Sequence, residues 1–377
     1  MIPYGKQLVE QDDIQAVIEV LRSDWLTTGP KVTEFEKLVA EYVGARYAVA
    51  VSSGTAALHC AMYAAGVGPG DEVIAPPMTF AATTNAVIYQ GGIPVFADVD
   101  PNTLLLDPVK VEEKISNRTK AIIAVDYTGH PCNYGALKRI ADRHGIFIVA
   151  DACHSLGAEY KGKKVGSLAD ITVFSFHPVK HITTGEGGMV VTNDTALANH
   201  IRQFRNHGID SDYRQRERQG SWFYQMADLG YNYRLSDLQC ALGITQLKKL
   251  PAFLKHRRET AEYYDRYLLE RKALRPLTVS SVVTHAYHLY VVRIDFKLLG
   301  KQRETLFQQL REKEIGVNVH YIPVHLHPYY RRKFGTGRGL CPVAEAAYEE
   351  IISLPIFPAL DDKQMNQCIE ALFSSCV

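Results

Sequence analysis

The chain has 377 residues, 46% of them hydrophobic and 22% charged, with a formal net charge of +1. At roughly 100–200 residues per domain that is two domains, and the near-zero charge excludes a global field drawing the chain to nucleic acid or a membrane surface. Seven scattered cysteines without a CxxC pair exclude a disulfide framework and a zinc knuckle, and they fit a reduced, cytoplasmic setting.

The first residues, MIPYGKQLVEQDD, lack an apolar signal core. No window reaches the about 18 apolar residues of a membrane span. Helical periodicity opens at DDIQAVIEVLRS and returns at VTEFEKLVAEYVG. Short apolar runs follow at 47–51, 71–75, 93–99, 121–127, 146–151, 171–176 and 188–193. Helix-like stretches such as TAALHCAMYAAG and YGALKRIADRHG lie between them, the latter stopping at Gly145. Runs that are apolar throughout and spaced by helices predict a mostly parallel sheet of about seven strands, covered on both faces. We assign residues 1–250 to this large α/β domain.

Beyond Pro251 the pattern changes. It predicts a helix over 256–273, a strand over 288–296, a helix over 301–313, a strand over 316–325, and helices over 343–353 and 361–373. Residues 251–377 then form a small α+β domain. The polar, Gly- and Arg-rich stretches 207–229 and 329–341 read as loops.

Open parallel sheets bind ligands beyond the carboxyl ends of their strands. The strand ends here deliver SSGTAAL (52–58), PPMTFAATTN (76–85), DACHSLGA (151–158) and HPVKHITTGEGG (177–188). SSGTAAL opens a helix, whose N-terminus suits a phosphate; ordinary capping by Ser52 or Ser53 also explains it. GVGPG (66–70) precedes a strand and reads as a turn, not a dinucleotide fingerprint. Asp151 could be a metal ligand, a base, a helix cap or the partner of a cationic ring nitrogen, with His154 near the same ligand. His177 and His181 have helical spacing, but Pro178 between them argues against a helix, and no metal site is expected. Lys180, among Ser175, Thr183 and Thr184, is either a solvated charge or a partly buried amine that forms imines. A phosphate turn, a carboxylate, an aromatic ring and a lysine together are what pyridoxal 5′-phosphate requires.

In sequence order, the segments LTTGP (26–30), SSGTAAL, PPMTFAATTNAV, VDYTGHPC (125–132), DACHSLGAEY, FSFHPVKHITTGEGG, GYNYRLSDLQCALG (230–243), HYIPVHLHPYY (320–330) and ISLPIFPAL (352–360) carry a resemblance over nearly the whole chain. The chain resembles the DegT/DnrJ/EryC1/StrS family of nucleotide-sugar aminotransferases. That resemblance implies the pyridoxal-phosphate-dependent transferase fold type I, the aspartate-aminotransferase architecture. It makes Lys180 the catalytic lysine that bonds the cofactor's aldehyde. It makes Asp151 the partner of the ring nitrogen and places His154 beside the ring's 3′-oxygen. Gly54, Thr55 and Ser175 meet the phosphate, Phe80 stacks on the ring, and Asn232 reaches the phosphate from a neighbouring subunit of a homodimer. Tyr4, Asp24, Trp25, Leu26, Thr27, Asn318, Val319, His320 and Tyr321 match the sugar-nucleotide pocket. The loop RQRERQ (214–219) could meet a diphosphate, although charged loops are usually solvated. VDYTGHPC and FSFHPVKHITTGEGG look most like the pseudaminic-acid subgroup, whose members aminate C4 of a UDP-linked 4-keto-6-deoxy-N-acetylhexosamine. L-glutamate is the implied donor. Enzymes of 4-amino-arabinose, GDP-perosamine or C3-amino dTDP-sugar type are the alternatives. A binding protein on the same scaffold is disfavoured by the intact Lys180 and Asp151, and PYYRRKFGTGRG (328–339) carries no RNA-binding motif.

Overall fold

The computed structural model describes residues 1–211, 216, 220–269 and 271–376. In chain order the first nine strands are β1 (Tyr47–Val51), β2 (Glu72–Ala75), β3 (Ile93–Phe96), β4 (Thr119–Val125), β5 (Phe147–Asp151), β6 (Glu159–Tyr160), β7 (Lys163–Lys164), β8 (Ile171–Ser175) and β9 (Gly188–Thr192). Seven of them form one sheet in the order β1-β9-β8-β5-β4-β2-β3. Only β9 runs against its neighbours, while β8, β5, β4, β2 and β3 pair in parallel. All strands but β9 therefore end at the same edge. The fold class and the seven apolar runs agree with the sequence expectation.

The sheet is buried on both sides. Val49, Val73, Ile123 and Val173 pack with the helices Gly54–Ala64 and Thr195–Phe204 on one face. On the other, Ala48, Ala50, Phe174 and Val191 meet Phe35 and Val39 of the helix Pro30–Val43 and Leu247 and Leu250 of a long helix. A second sheet holds β10 (Leu274–Pro276), β12 (Tyr290–Ile294) and β13 (Ile351–Leu354); β11 (Val283–Thr284) joins β6 and β7 in a third. Among the described residues no helix is long and apolar enough to cross a membrane.

Four expectations differ. The helix predicted from 256 runs over Asp237–Leu268 and passes through Pro251, so residue 250 lies inside it. Proline removes one backbone donor, and packing of Leu247, Leu250 and Leu254 holds the rod together. The run 316–325 is not a strand. Its backbone bonds go elsewhere: Gly316 N–H to the Ile2 carbonyl, Asn318 to Ser353, and Val324 N–H to the Pro77 carbonyl. Within 329–341, Pro328–Phe334 is a helix, with proline at its start and left-handed Gly335 after its end. The helix expected over 343–353 stops at Glu350, and β13 follows at once.

The helix Pro30–Val43 has Gly29 at its N-cap and no local side chain to cap it. Asp237 does so from the start of the long helix: its Oδ2 accepts the Gly29 N–H at 2.6 Å and its Oδ1 the Lys31 N–H at 2.9 Å. A side chain at Gly29 would fall 2.4 Å from Asp237 Oδ1. Replacing the fully buried Asp237 with Ala orphans these donors at a cost of about 2–4 kcal/mol. D237A is expected to lower the thermal midpoint by several degrees in calorimetry and D237N, which keeps one acceptor, by less; equal melting of D237A and the natural chain would refute this anchoring role.

Candidate active site

Because the strands end together, the segments after β1, β2, β5 and β8 open onto one cavity of about 680 Å³. Gly54, Thr55, Phe80, Asp151, His154, Ser175 and Lys180 line it, and residues from beyond 251 complete it: His288, Asn318, Val319, His320 and Tyr321. Tyr4 comes in from the N-terminus.

Ser53 caps the helix Gly54–Ala64, its Oγ accepting the Ala56 N–H at 3.0 Å. The N–H groups of the first turn have no acceptor within the helix. Gly54 is required here, since a Cβ would come to 2.9 Å from Ser175 Cβ and 3.4 Å from Cys153 Sγ. Backbone donors and the Thr55 and Ser175 hydroxyls thus share one cradle, the chemistry of a phosphate site.

Asp151 ends β5 and is buried. Its Oδ2 accepts the Thr83 hydroxyl at 2.6 Å, and Thr83 is in turn 2.7 Å from the Thr79 hydroxyl. Its Oδ1 lies 3.3 Å from the Cys153 N–H. A carboxylate fixed in this way is ready for a cationic ring nitrogen, whose protonated form it favours.

Lys180 follows β8 in a turn, its N–H bonded to the His177 carbonyl. The nearby threonines brace that turn rather than face a ligand: Thr183 Oγ1 donates to the Phe176 carbonyl and Thr184 Oγ1 to that of Glu186. The lysine is half-buried, with its Nζ 3.4 Å from His288 Nε2. Burial pushes its pKa down, opposed by Cys153 and Asp151, so more of the amine is neutral at a given pH than for a surface lysine. Buried His154, His181 and His288 surround it, and burial holds each well below the usual histidine range; the Lys180 cation adds to that effect. His154 Nε2 is 3.1 Å from the Tyr321 hydroxyl, whereas its buried Nδ1 has no partner among the described residues. Phe80 is 60% exposed, at the mouth beside Tyr321, with ring centroids 6.1 Å apart.

Asp24, Trp25, Leu26, Thr27 and Asn232 do not line this cavity; all five are exposed. They sit along one stretch of surface. Thr27 bridges Ser236, the Leu26 carbonyl accepts the Asp237 N–H, and Asn232 bridges Asn206. Of RQRERQ, all but Arg216 falls outside the described residues. Sequence reasoning passed over Thr83 and His288. Thr83 lies in the hydroxyl-rich segment PPMTFAATTN, and His288 opens the strand predicted over 288–296.

Pyridoxal phosphate fits this donor set. The orphaned His154 Nδ1 leaves a ring-side polar atom to satisfy, the Gly54 cradle suits the phosphate, and Lys180 and Asp151 occupy a common cavity.

Comparison with known proteins agrees with this chemistry. Residues 7–373 match the model of the DegT/DnrJ/EryC1/StrS aminotransferase family. The chain is 43% identical over 373 residues to the spore coat polysaccharide biosynthesis protein SpsC of Bacillus subtilis, covering 98% of this chain and 96% of that protein. Among solved structures, Helicobacter pylori PseC, an aminotransferase involved in the biosynthesis of pseudoaminic acid, superposes with a TM-score of 0.92 at 32% identity, over 99% of this chain and 98% of that one. The PLP-form of Spr1654 from Streptococcus pneumoniae also gives 0.92, at 31% identity over 100% and 98%. The chain belongs to the DegT/DnrJ/EryC1/StrS aminotransferase family.

Proposed function

We propose that this sugar aminotransferase uses pyridoxal phosphate to move an amino group from L-glutamate to C4 of a UDP-linked 4-keto-6-deoxy-N-acetylhexosamine. The observation that carries the chemistry is the half-buried Lys180 amine in one cavity with the Asp151 carboxylate and the Gly54 helix N-terminus. The likeness to PseC over nearly the full chain supports the choice of sugar.

Bound in this cavity, the cofactor supplies an electron sink for the carbanion formed at the donor's Cα. The chain's own residues do the rest. Gly54, Thr55 and Ser175 hold the phosphate. Asp151 keeps a proton on the ring nitrogen, and each pKa unit of that preference is worth about 1.4 kcal/mol. Thr83 orients Asp151. Lys180 Nζ would hold the cofactor at its aldehyde, and, when free, its amine would serve as the positioned base for the donor's Cα proton. His154 and Tyr321, bonded to each other, orient the ring's oxygen side and the sugar. Asn318, Val319, His320 and Tyr4 wall the sugar end.

The active site is shared between two copies of the chain in this reading. Two observations support it. Asp24–Thr27 and Asn232 are exposed on neighbouring surface rather than turned into their own cavity. The segment leading to Asn232 exposes Trp222, Phe223, Met226 and Leu229, an apolar surface of the kind that a partner covers.

Three outcomes test this. K180A is expected to lose the borohydride-fixable bond to pyridoxal phosphate and turnover by at least a thousandfold; unchanged turnover would exclude the mechanism. Incubation with UDP-, dTDP- and GDP-linked keto sugars, read by product NMR, is expected to show amination at C4 of the UDP sugar, and amination of a different nucleotide or carbon would redirect the substrate reading. K180A and N232A, each inactive alone, are expected to regain activity when unfolded and refolded together, because one site of the mixed dimer receives neither change. No recovery in a mixture shown to contain mixed dimers would exclude a shared site.

A further inference from the structure

His288 is buried, yet its bonding is incomplete. Its Nδ1 has no partner among the described residues, and its Nε2 lies 3.4 Å from Lys180 Nζ. An unbonded buried ring nitrogen costs free energy, and an ordinary core position would be filled better by an apolar ring. The segment carrying it is fastened from two sides. Ala286 N–H bonds to the Gly129 carbonyl and Leu289 N–H to that of Thr128. The fully buried Arg257 donates through Nη1 to the carbonyls of Tyr287, His288 and Ile356, at 3.1, 3.3 and 3.0 Å. Gly129 allows the close approach, because a Cβ there would lie 2.7 Å from the His154 carbonyl oxygen and 3.0 Å from His288 N. The backbone is thus locked so that the imidazole faces the lysine.

We propose that His288 is the resting partner of Lys180: its Nε2 accepts a hydrogen bond from the ε-amino group whenever that group is not bonded to the cofactor. The inference rests on Lys180 as the cofactor lysine. A lysine released inside a buried cavity must find an acceptor or turn away towards water. An acceptor that also took the proton would leave a charge behind. Burial, Lys180, His154, His181 and Arg257 all disfavour the imidazolium of His288, and these are the charged and titratable groups that surround it. His288 accepts as a neutral ring, and Lys180 keeps the lone pair with which it attacks the aldehyde. With Nε2 as acceptor the ring proton sits on Nδ1. The geometry makes His288 a guide for the amine, not a store for the proton.

The test uses the full chain freed of cofactor, then mixed with pyridoxal phosphate. Covalent capture is followed by absorbance, and the adduct is fixed with borohydride and located by mass spectrometry. In H288L, which offers no acceptor, capture at Lys180 is expected to slow at least tenfold. In H288Q, whose amide oxygen accepts, it is expected to stay within threefold of the natural rate. Thermal melting of each variant separates this from misfolding, and H288F carries the comparison if H288L does not fold. Capture by the folded apolar variant at the natural rate overturns the proposal, as does H288Q being as slow as H288L. An adduct of the natural chain on another lysine would instead overturn the assignment of Lys180.

Discussion

A half-buried lysine amine in the turn beyond a strand is the constraint on which the site depends. An ammonium ion resists burial, so placing this side chain inside the cavity favours the neutral form that can react with a carbonyl. Among the described residues no carboxylate forms an ion pair with Lys180, while His154, His181 and His288 gather around it. Arg257 shows the same logic. Among the described residues it has no carboxylate partner and its Nε and Nη2 are unbonded; three backbone carbonyls take its Nη1 hydrogens, and burial pushes its pKa down to about 10. A positive charge so poorly compensated is costly in the interior. Burial holds the pKa values of His181 and His288 down, and the Arg257 charge adds to that effect.

The direction of the strands does the positioning. With only β9 reversed, four strand ends turn their loops to the same side. Each contributes one kind of group, and none needs a long excursion to reach the others. The helix opened by Ser53 brings backbone donors, β5 brings the carboxylate and β8 leads to the amine. The residues beyond 251 close the remaining wall, with the Tyr127 hydroxyl bonded to the His320 carbonyl across that junction.

Much of this was legible in the sequence because the signals were local. Seven Val-, Ile- and Ala-rich runs announced the strands; Asp151 closed one of them and Lys180 stood in the turn after another. Their meeting in one cavity followed from the strand-end rule. What was not legible depended on distant partners. Pro251 looked like a boundary, since nothing local reveals that Leu247, Leu250 and Leu254 are held by the sheet. The run 316–325 alternates like a strand, yet Ile2, Ser353 and Pro77 take its backbone bonds. β13 was hidden because Ile351–Leu354 continues a helical pattern without a breaker. His288 sat in an apolar run, and only the fold shows that it faces an amine more than a hundred positions earlier. Proline at 328 and glycine at 335 did mark a helix, and the arginines between them drew attention away.

The unbroken helix from Asp237 to Leu268 has a mechanical corollary. One rigid strut spans the large sheet and reaches Tyr264 and Leu268 in the core of the small one. The two lobes cannot swing about Pro251 as a loose joint without shearing that strut out of both cores. Admission and exit of a sugar substrate then fall to the rim, where Phe80, His177 and Glu186 stand in solvent, while the floor beneath the amine stays still.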